Sequence, residues 1–572
     1  MTEKRQSNFR PALSVMLAAL LPLHTGADDF GAEYFHDRQR LEVLLESGDS
    51  REAYELVRSL NAQNPADSFQ WWQQGNLAAR LGLWPESAAA FEESMRLGSA
   101  FEAVTARRIA EAHARTGNRD AAIDWLQKSV ALGLDRRFEL PDQDAFAALR
   151  EDDEFLALAG LATDVVDDRE ERWVRDIDAL VYEAQRMHRG PGRPAYSASF
   201  LDAVERLKRD VPDLDDLQVT LGLQRLVAML GDGHSYVWVG FIHEKAAHPP
   251  TLENAGSLPL VFHAFGEDVY VINGTDAGAS LIGSKVLAFG DVSTTEFVEA
   301  ARRYLHGDNA ESWKFLGVHF GFRGLGLHRE LGTAAAGGVE LTVEFPGGRR
   351  ERKRLTGGDY QFPRKLRPMP GQQEVPLFLE EVDTVYRTVS MPERNALYLQ
   401  VNNIRNAEGR ETLAEFAENA ISAALESSTH NVIVDFRLNN GGNNFLCEGL
   451  LQALLRFRFA DEQNRIFVIT RHETFSAAQN CSNRIEANTD AIFVGEPSSS
   501  SPNFVGEETQ VLLPYSGTIV SISNLYWQDS QPWDNRPWIA PDIPATLTFD
   551  EYANGRDPAL ASIFEVIGST DP

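Results

Sequence analysis

IFVITRHETFSAAQN, residues 466–480, joins an apolar run to a pattern with helical spacing. The run 466–470 reads as a buried strand, whereas Ala477, Ala478, Cys481 and Ile485 recur on one face of a helix. Ser476 stands at the junction and is expected at a helix N-terminus, where unpaired N–H groups and the macrodipole favour negative charge. That position suits a nucleophile. It equally suits an N-cap, the role serine most often fills there.

A second stretch, VIVDFRLNNGGNNF at 432–445, repeats the order strand, loop, helix, with Phe445, Leu450, Leu451, Leu454 and Leu455 on the helical part. Two such units in succession predict a parallel or mixed sheet with helices packed on it and the loops gathered at the carboxyl ends of its strands. Active sites of α/β proteins commonly lie there. Gly441 and Gly442 leave room for a substrate carbonyl, so a backbone N–H there could join that of Ala477 in holding an oxyanion; the bland alternative is a tight turn. Asp435 and Arg437 read as residues that hold this loop.

The chain has 572 residues, enough for several domains, and the composition of an ordinary globular protein. Its net charge of −30 argues against nucleic acid as partner, because a phosphate backbone would be repelled. Residues 1–27 carry Lys4, Arg5 and Arg10, an apolar run from Ala12 to Leu23, and the small residues Thr25, Gly26 and Ala27. This reads as a secretory signal peptide, too short for a spanning helix, and predicts a periplasmic or extracellular protein without a membrane span. The only cysteines, Cys447 and Cys481, follow the two key loops. Pairing and two buried free thiols are both open, and no metal-type spacing is present.

Between 33 and 162 glycines recur at Gly48, Gly82 and Gly117, a period of about 34 residues. Five residues past each stands Ala53, Ser87 or Ala122, and nine past stands Val57, Phe91 or Leu126. Small then large, one turn apart, lets paired helices interlock. The pattern resembles tetratricopeptide repeats, capped by Phe138, Phe146, Leu149 and Phe155, and such solenoids usually hold a protein or peptide. A bracing role for the neighbouring domain is the alternative. From 168 to 240 the pattern stays helical until an apolar stripe ends in GDGHSYVWVG at 231–240. His234 then sits on a sharp loop, a rigid place for a general base, although most of the thirteen histidines must be structural.

Residues 170–570 resemble the serine peptidases that include the tail-specific proteases, the tricorn core protease and the interphotoreceptor retinoid-binding protein. The resemblance rests on GDGHSY, VDFRLNNGG, TFSAAQN and AIFVGEP at 491–497, in that order. It implies a crotonase-like α/β core over 385–572, peptide-bond hydrolysis without metal or cofactor, Ser476 as nucleophile, and an oxyanion hole from Gly441 or Gly442 with Ala477. The tail-specific branch uses a lysine near GEPSSSSPNF at 495–504, about where Ser501 stands, but no lysine follows Lys365. The tricorn-like branch uses a histidine from the preceding helical segment, which His234 matches; His472 is the rival base. A carboxylate is then expected beside the histidine, drawn from Asp529, Asp534 and Asp542, with Asp534 chosen and an ion pair to Arg536 as the alternative.

The runs 269–272, 285–292 and 339–345 cluster as short strands within 255–365 and loosely resemble the PDZ-like module of this family, which captures carboxyl termini by strand addition. The carboxylate-binding loop of such modules is not evident, and GLGL at 324–327 reads as strand or turn. The expected architecture is therefore multidomain α plus α/β: a repeat solenoid, a helical segment bearing His234, a β-rich insert and a core bearing Ser476. The expected activity is cleavage of peptides or proteins through an acyl-enzyme. A catalytically idle relative holding an apolar ligand, and an assembly scaffold working through the repeats, are the alternatives.

Overall fold

The computed structural model describes residues 27–252, 256–335, 338–360 and 365–568. The leader expected over 1–27 lies outside them but for Ala27. The chain divides into two compact units, 1–132 and 133–572.

The first unit is helical. Its elements are Ala27–Ser47, Ser50–Gln63, Ser68–Arg80, Trp84–Arg96, Glu102–Arg115 and Arg119–Ala131. Gly48, Gly82 and Gly117 each take a positive φ between two of these helices, which a side chain would strain. The side chains of Asp49, Asp67 and Asn118 accept from N–H groups of the helices that follow them. Ala53, Ser87 and Ala122 are buried, and so are Val57, Phe91 and Leu126. The small and the large positions read from the sequence are thus all inside the helical unit. The segment after 132 belongs to the second unit, short of the expected boundary at 162, because Phe138 packs against Leu512 and Ile519 near the carboxyl end of the chain.

The second unit is built on a six-stranded sheet in the order Ile543–Pro544, Ile492–Gly495, Arg465–Thr470, Asn431–Asp435, Ala396–Val401 and Tyr386–Met391. All neighbours are parallel except the last pair. Its middle strands are covered on both faces, as parallel sheets require. Val432, Val434, Ile466 and Val468 pack with the helices Leu413–Glu426, Cys447–Ala460 and Ala477–Asn488. Ile433, Phe467 and Ile469 face the other way, against Ala559, Leu560 and Ile563 of Pro558–Gly568. Cys447 and Cys481 form a disulfide between the two helices that follow the key loops, with their Cα atoms 5.4 Å apart. Asp435 binds Arg437 and the hydroxyl of Tyr398, and Arg437 reaches Asp557, so this pair braces the loop.

A seven-stranded sheet runs Leu260–Phe265, Asp268–Gly274, Lys285–Phe289, Gly338–Glu344 and Ala334–Ala335, with Val292–Ser293 and Arg350–Thr356 alongside. Within it GLGL is neither strand nor simple turn. Gly324 precedes the helix Leu325–Glu330, whose Leu325 and Leu327 bury in the core of this sheet. A third sheet has three strands, in the order Tyr236–Ile242, Thr518–Gln528, Asn503–Leu512. Its first strand begins two residues after His234 and pairs antiparallel with Thr518–Gln528, Tyr236 opposite Ser521. This pairing carries His234 to the core. No helix among the described residues is long and apolar enough to cross a membrane.

Candidate active site

Ser476 precedes the helix Ala477–Asn488 and holds φ 54°, ψ −126°, a conformation rarely adopted by residues other than glycine. The bend lifts its side chain out of an otherwise buried stretch, since residues 471–475 and 477–480 are buried and Ser476 is half-buried. It also requires close packing. A Cβ on Gly441 would lie 2.7 Å from that of Ser476, and one on Gly442 would lie 2.2 Å from the Ile404 carbonyl oxygen. Both glycines take positive φ, 114° and 140°. The Gly441 N–H donates to Asn439 Oδ1 at 3.0 Å. Neither the Gly442 N–H nor the Ala477 N–H has an acceptor among the described residues.

His234 Nε2 lies 3.0 Å from Ser476 Oγ, although 242 residues separate them. The imidazole is stacked between Phe475 and Phe504, with ring centroids 4.6 and 5.7 Å away. Burial between these rings pushes it down to about 4, against the pull of Asp232 and of the Val505 backbone. It is therefore neutral through the ordinary pH range, and Nε2 can accept the serine proton. No carboxylate bonds Nδ1 among the described residues, and the Val505 backbone is the group that bonds the ring.

The loop under His234 is held from both sides. Asp232 Oδ1 accepts the N–H groups of His234 and Ser235 at 2.8 and 2.6 Å and the hydroxyl of Ser523 at 2.7 Å. Its Oδ2 lies 3.0 Å from His188 Nε2. Burial pushes this carboxyl up, but the bonds to His188, Ser523 and Ser235 prevail and hold it at about 2. Gly233 has no room for a side chain, because a Cβ would meet the Phe475 ring at 2.7 Å and Asp308 Oδ1 at 3.2 Å. The sequence pattern pointed to His234 and passed over Asp232, whose place between two glycines before a histidine was the available signal.

The expected acids lie elsewhere. Asp534 accepts from the Ser530 hydroxyl at 2.6 Å and from Arg536, whose hydrogen bonds hold it well below the usual carboxylate range. Arg536 continues to Glu486. Asp529 accepts from Asn480, and Asp542 from the Phe493 N–H. None of the three is bonded to His234: Asp529 is held by Asn480, Asp534 by Ser530 and Arg536, and Asp542 by the Phe493 N–H. His472 is also placed away from Ser476, its ring 5.4 Å from that of His263. Ser501 donates to the Pro537 carbonyl, while its neighbour Ser500 accepts the Ser476 N–H at 3.2 Å.

One group of metal-ligand type occurs among the described residues: His263, His319 and Glu473, with ligand atoms within 4.8 Å of one another. Arg471 enters it and donates to His263 Nε2 at 2.7 Å. The guanidinium thus takes the lone pair a metal would need and sets a positive charge beside the place of the ion. Next to the Ser476–His234 pair lies a cavity of about 210 Å³ lined by Pro191, Asp308, Phe504, Val505, Tyr526 and Asp534, among others.

No family model and no curated protein matches the sequence. Solved structures do match. Mature CPAF complexed with lactacystin superposes with a TM-score of 0.51 at 12% identity, covering 70% of this chain and 98% of that one. Mature CPAF alone gives 0.50 at 12% identity, over 70% and 99%. The photosystem II D1 C-terminal processing protease matches at 13% identity over 71% and 98%, with a TM-score of 0.34.

Proposed function

We propose that this chain, which has the fold of mature CPAF, is a serine peptidase that cleaves peptides or proteins through an acyl-enzyme. The observation that carries the proposal is the 3.0 Å contact between His234 Nε2 and Ser476 Oγ beside two unengaged backbone N–H groups. A serine hydroxyl is a weak nucleophile until a base takes its proton. His234 accepts it as Oγ attacks the carbonyl carbon, and the oxyanion is held by the N–H groups of Gly442 and Ala477. Gly441, with its N–H turned to Asn439, supplies space rather than a bond. His234 then gives the proton to the leaving amine, and water, activated by the same imidazole, hydrolyses the acyl-enzyme.

A carboxylate is not needed beside Nδ1 in this reading. The stacked phenyl rings fix the plane of the imidazole, and Asp232 fixes the backbone that carries it. Export is supported by the leader-like start and by the Cys447–Cys481 disulfide, since such bonds persist in oxidising compartments. The helical first unit is suited to hold a protein partner. The test is intact-mass analysis after exposure to a fluorophosphonate. A single adduct on the wild type, absent from Ser476→Ala and His234→Ala, is expected. A folded wild type that takes no adduct would favour an idle, ligand-holding relative.

A further inference from the structure

The β-rich insert sends one short segment, His306–Ser312, between the loop that carries His234 and the loop that supports Ser476. On one side the Gly307 N–H donates to the Asp232 carbonyl at 2.9 Å, and Asp308 Oδ1 accepts the Gly233 N–H at 2.6 Å. On the other, Asn309 Nδ2 donates to the carbonyls of Ser498 and Pro537 at 3.1 and 2.7 Å, and the Ser312 hydroxyl donates to the Ser499 carbonyl at 3.1 Å. Ser500, next along that loop, accepts the Ser476 N–H and lies beside the Asp308 carboxyl. Asp308 Oδ2 is buried and has no hydrogen-bond partner among the described residues.

We infer that Asp308 is a positioning residue that holds the His234 loop in register with Ser476, so that the insert sets the geometry of the pair. The inference rests on the peptidase reading. Asp308 touches neither His234 Nε2 nor Ser476 Oγ; it acts through Gly233, whose neighbour is the base. A short bond from a buried carboxyl to a backbone N–H leaves that loop little freedom.

The carboxyl works in its neutral form. Burial, with the Asp232 carboxylate nearby, pushes Asp308 up to about 8, against the Gly233 N–H and the Ser500 hydroxyl. The charged and titratable groups around it are Asp232, His234 and His306, with Asp534 and Arg536 across the cavity, and Arg536 is already engaged by Asp534 and Glu486. Ionisation above about pH 8 places an uncompensated anion beside Asp232, which draws in water and releases the segment.

The experiment compares wild type, Asp308→Asn and Asp308→Ala by the rate of fluorophosphonate labelling across pH, and by amide hydrogen exchange over 231–236. Asp308→Ala is expected to label about 10- to 100-fold more slowly, the cost of a misplaced base, with faster exchange in that segment. Asp308→Asn keeps an acceptor for Gly233 and is expected to label within about threefold of wild type. It should also lack the decline expected of the wild type above about pH 8. Asp308→Ala labelling at the wild-type rate with unchanged exchange would overturn the inference, as would an alkaline decline identical in wild type and Asp308→Asn. If the wild type takes no label, the peptidase reading falls, and exchange over 231–236 alone decides whether Asp308 holds the loop.

Discussion

The stacking of His234 between two phenyl rings makes the acid side of the pH profile the sharpest test of the site. An unperturbed imidazole titrates near 6.5, and here burial lowers it to about 4. At about pH 5.5, ordinary titration leaves roughly a tenth of such an imidazole neutral, whereas one at 4 is roughly 97% neutral. If the rate of Ser476 labelling follows the neutral fraction, the wild type at pH 5.5 keeps almost all of its rate at pH 7. An unperturbed base would keep about a tenth. Phe504→Ala opens one face of the ring to water and is expected to move the limb upward, between 4 and 6.5. The rate is read from adduct growth by intact mass, with Ser476→Ala as the blank. A wild-type limb near 6.5, or one that Phe504→Ala leaves in place, would refute the desolvation argument. Stability shifts in the same sense. The folded state binds the proton less tightly than the unfolded chain, so stability contributed by the neutral imidazole is lost as pH falls from 6.5 toward 4.

Other predictions follow from single contacts. Gly442→Ala, which places a methyl 2.2 Å from the Ile404 carbonyl at a φ of 140°, should displace the donor and slow labelling about 100-fold or more; a smaller effect than tenfold would remove Gly442 from the oxyanion hole. Asp534→Ala should leave labelling within about threefold, because its carboxylate serves Ser530 and Arg536; a loss of several hundredfold would restore it as the third member. Replacing Cys447 and Cys481 by serine opens a loop closed across 34 residues, for which chain entropy gives about 4 kcal/mol, to be read as a lowered midpoint of denaturant unfolding. An unchanged midpoint would mean that the unfolded chain is already compact there.

Local patterns revealed what depended on local physics. The two strand, loop, helix units, the serine at the helix start and the repeat of small and large residues all rest on side-chain period and burial, and each stands where it was read. His234 was visible because glycines on either side of an aspartate end a helix at one place. What could not be read was pairing across hundreds of residues. Nothing within Tyr236–Ile242 names Thr518–Gln528 as its partner, and without that register the sequence does not show that Asp534 bonds Ser530 and Arg536. Asp308 and Ser500 were passed over for a related reason. GDNAES and SSSS look like surface turns, and only the fold turns their polar groups inward. Spacing in sequence does not set the distance between two helices, so the pairing of Cys447 with Cys481 is legible only in the fold.

The antiparallel pairing of Tyr236–Ile242 with Thr518–Gln528 also orders events in time. A ribosome makes His234 early and Ser476 late, and the strand that brings the two together later still. Until residue 528 has been joined to the chain, the Tyr236 strand has no partner and His234 no fixed address. The Ser476–His234 contact would then form only once that strand has been made, and a chain cut short before 518 would carry both side chains and hold them apart.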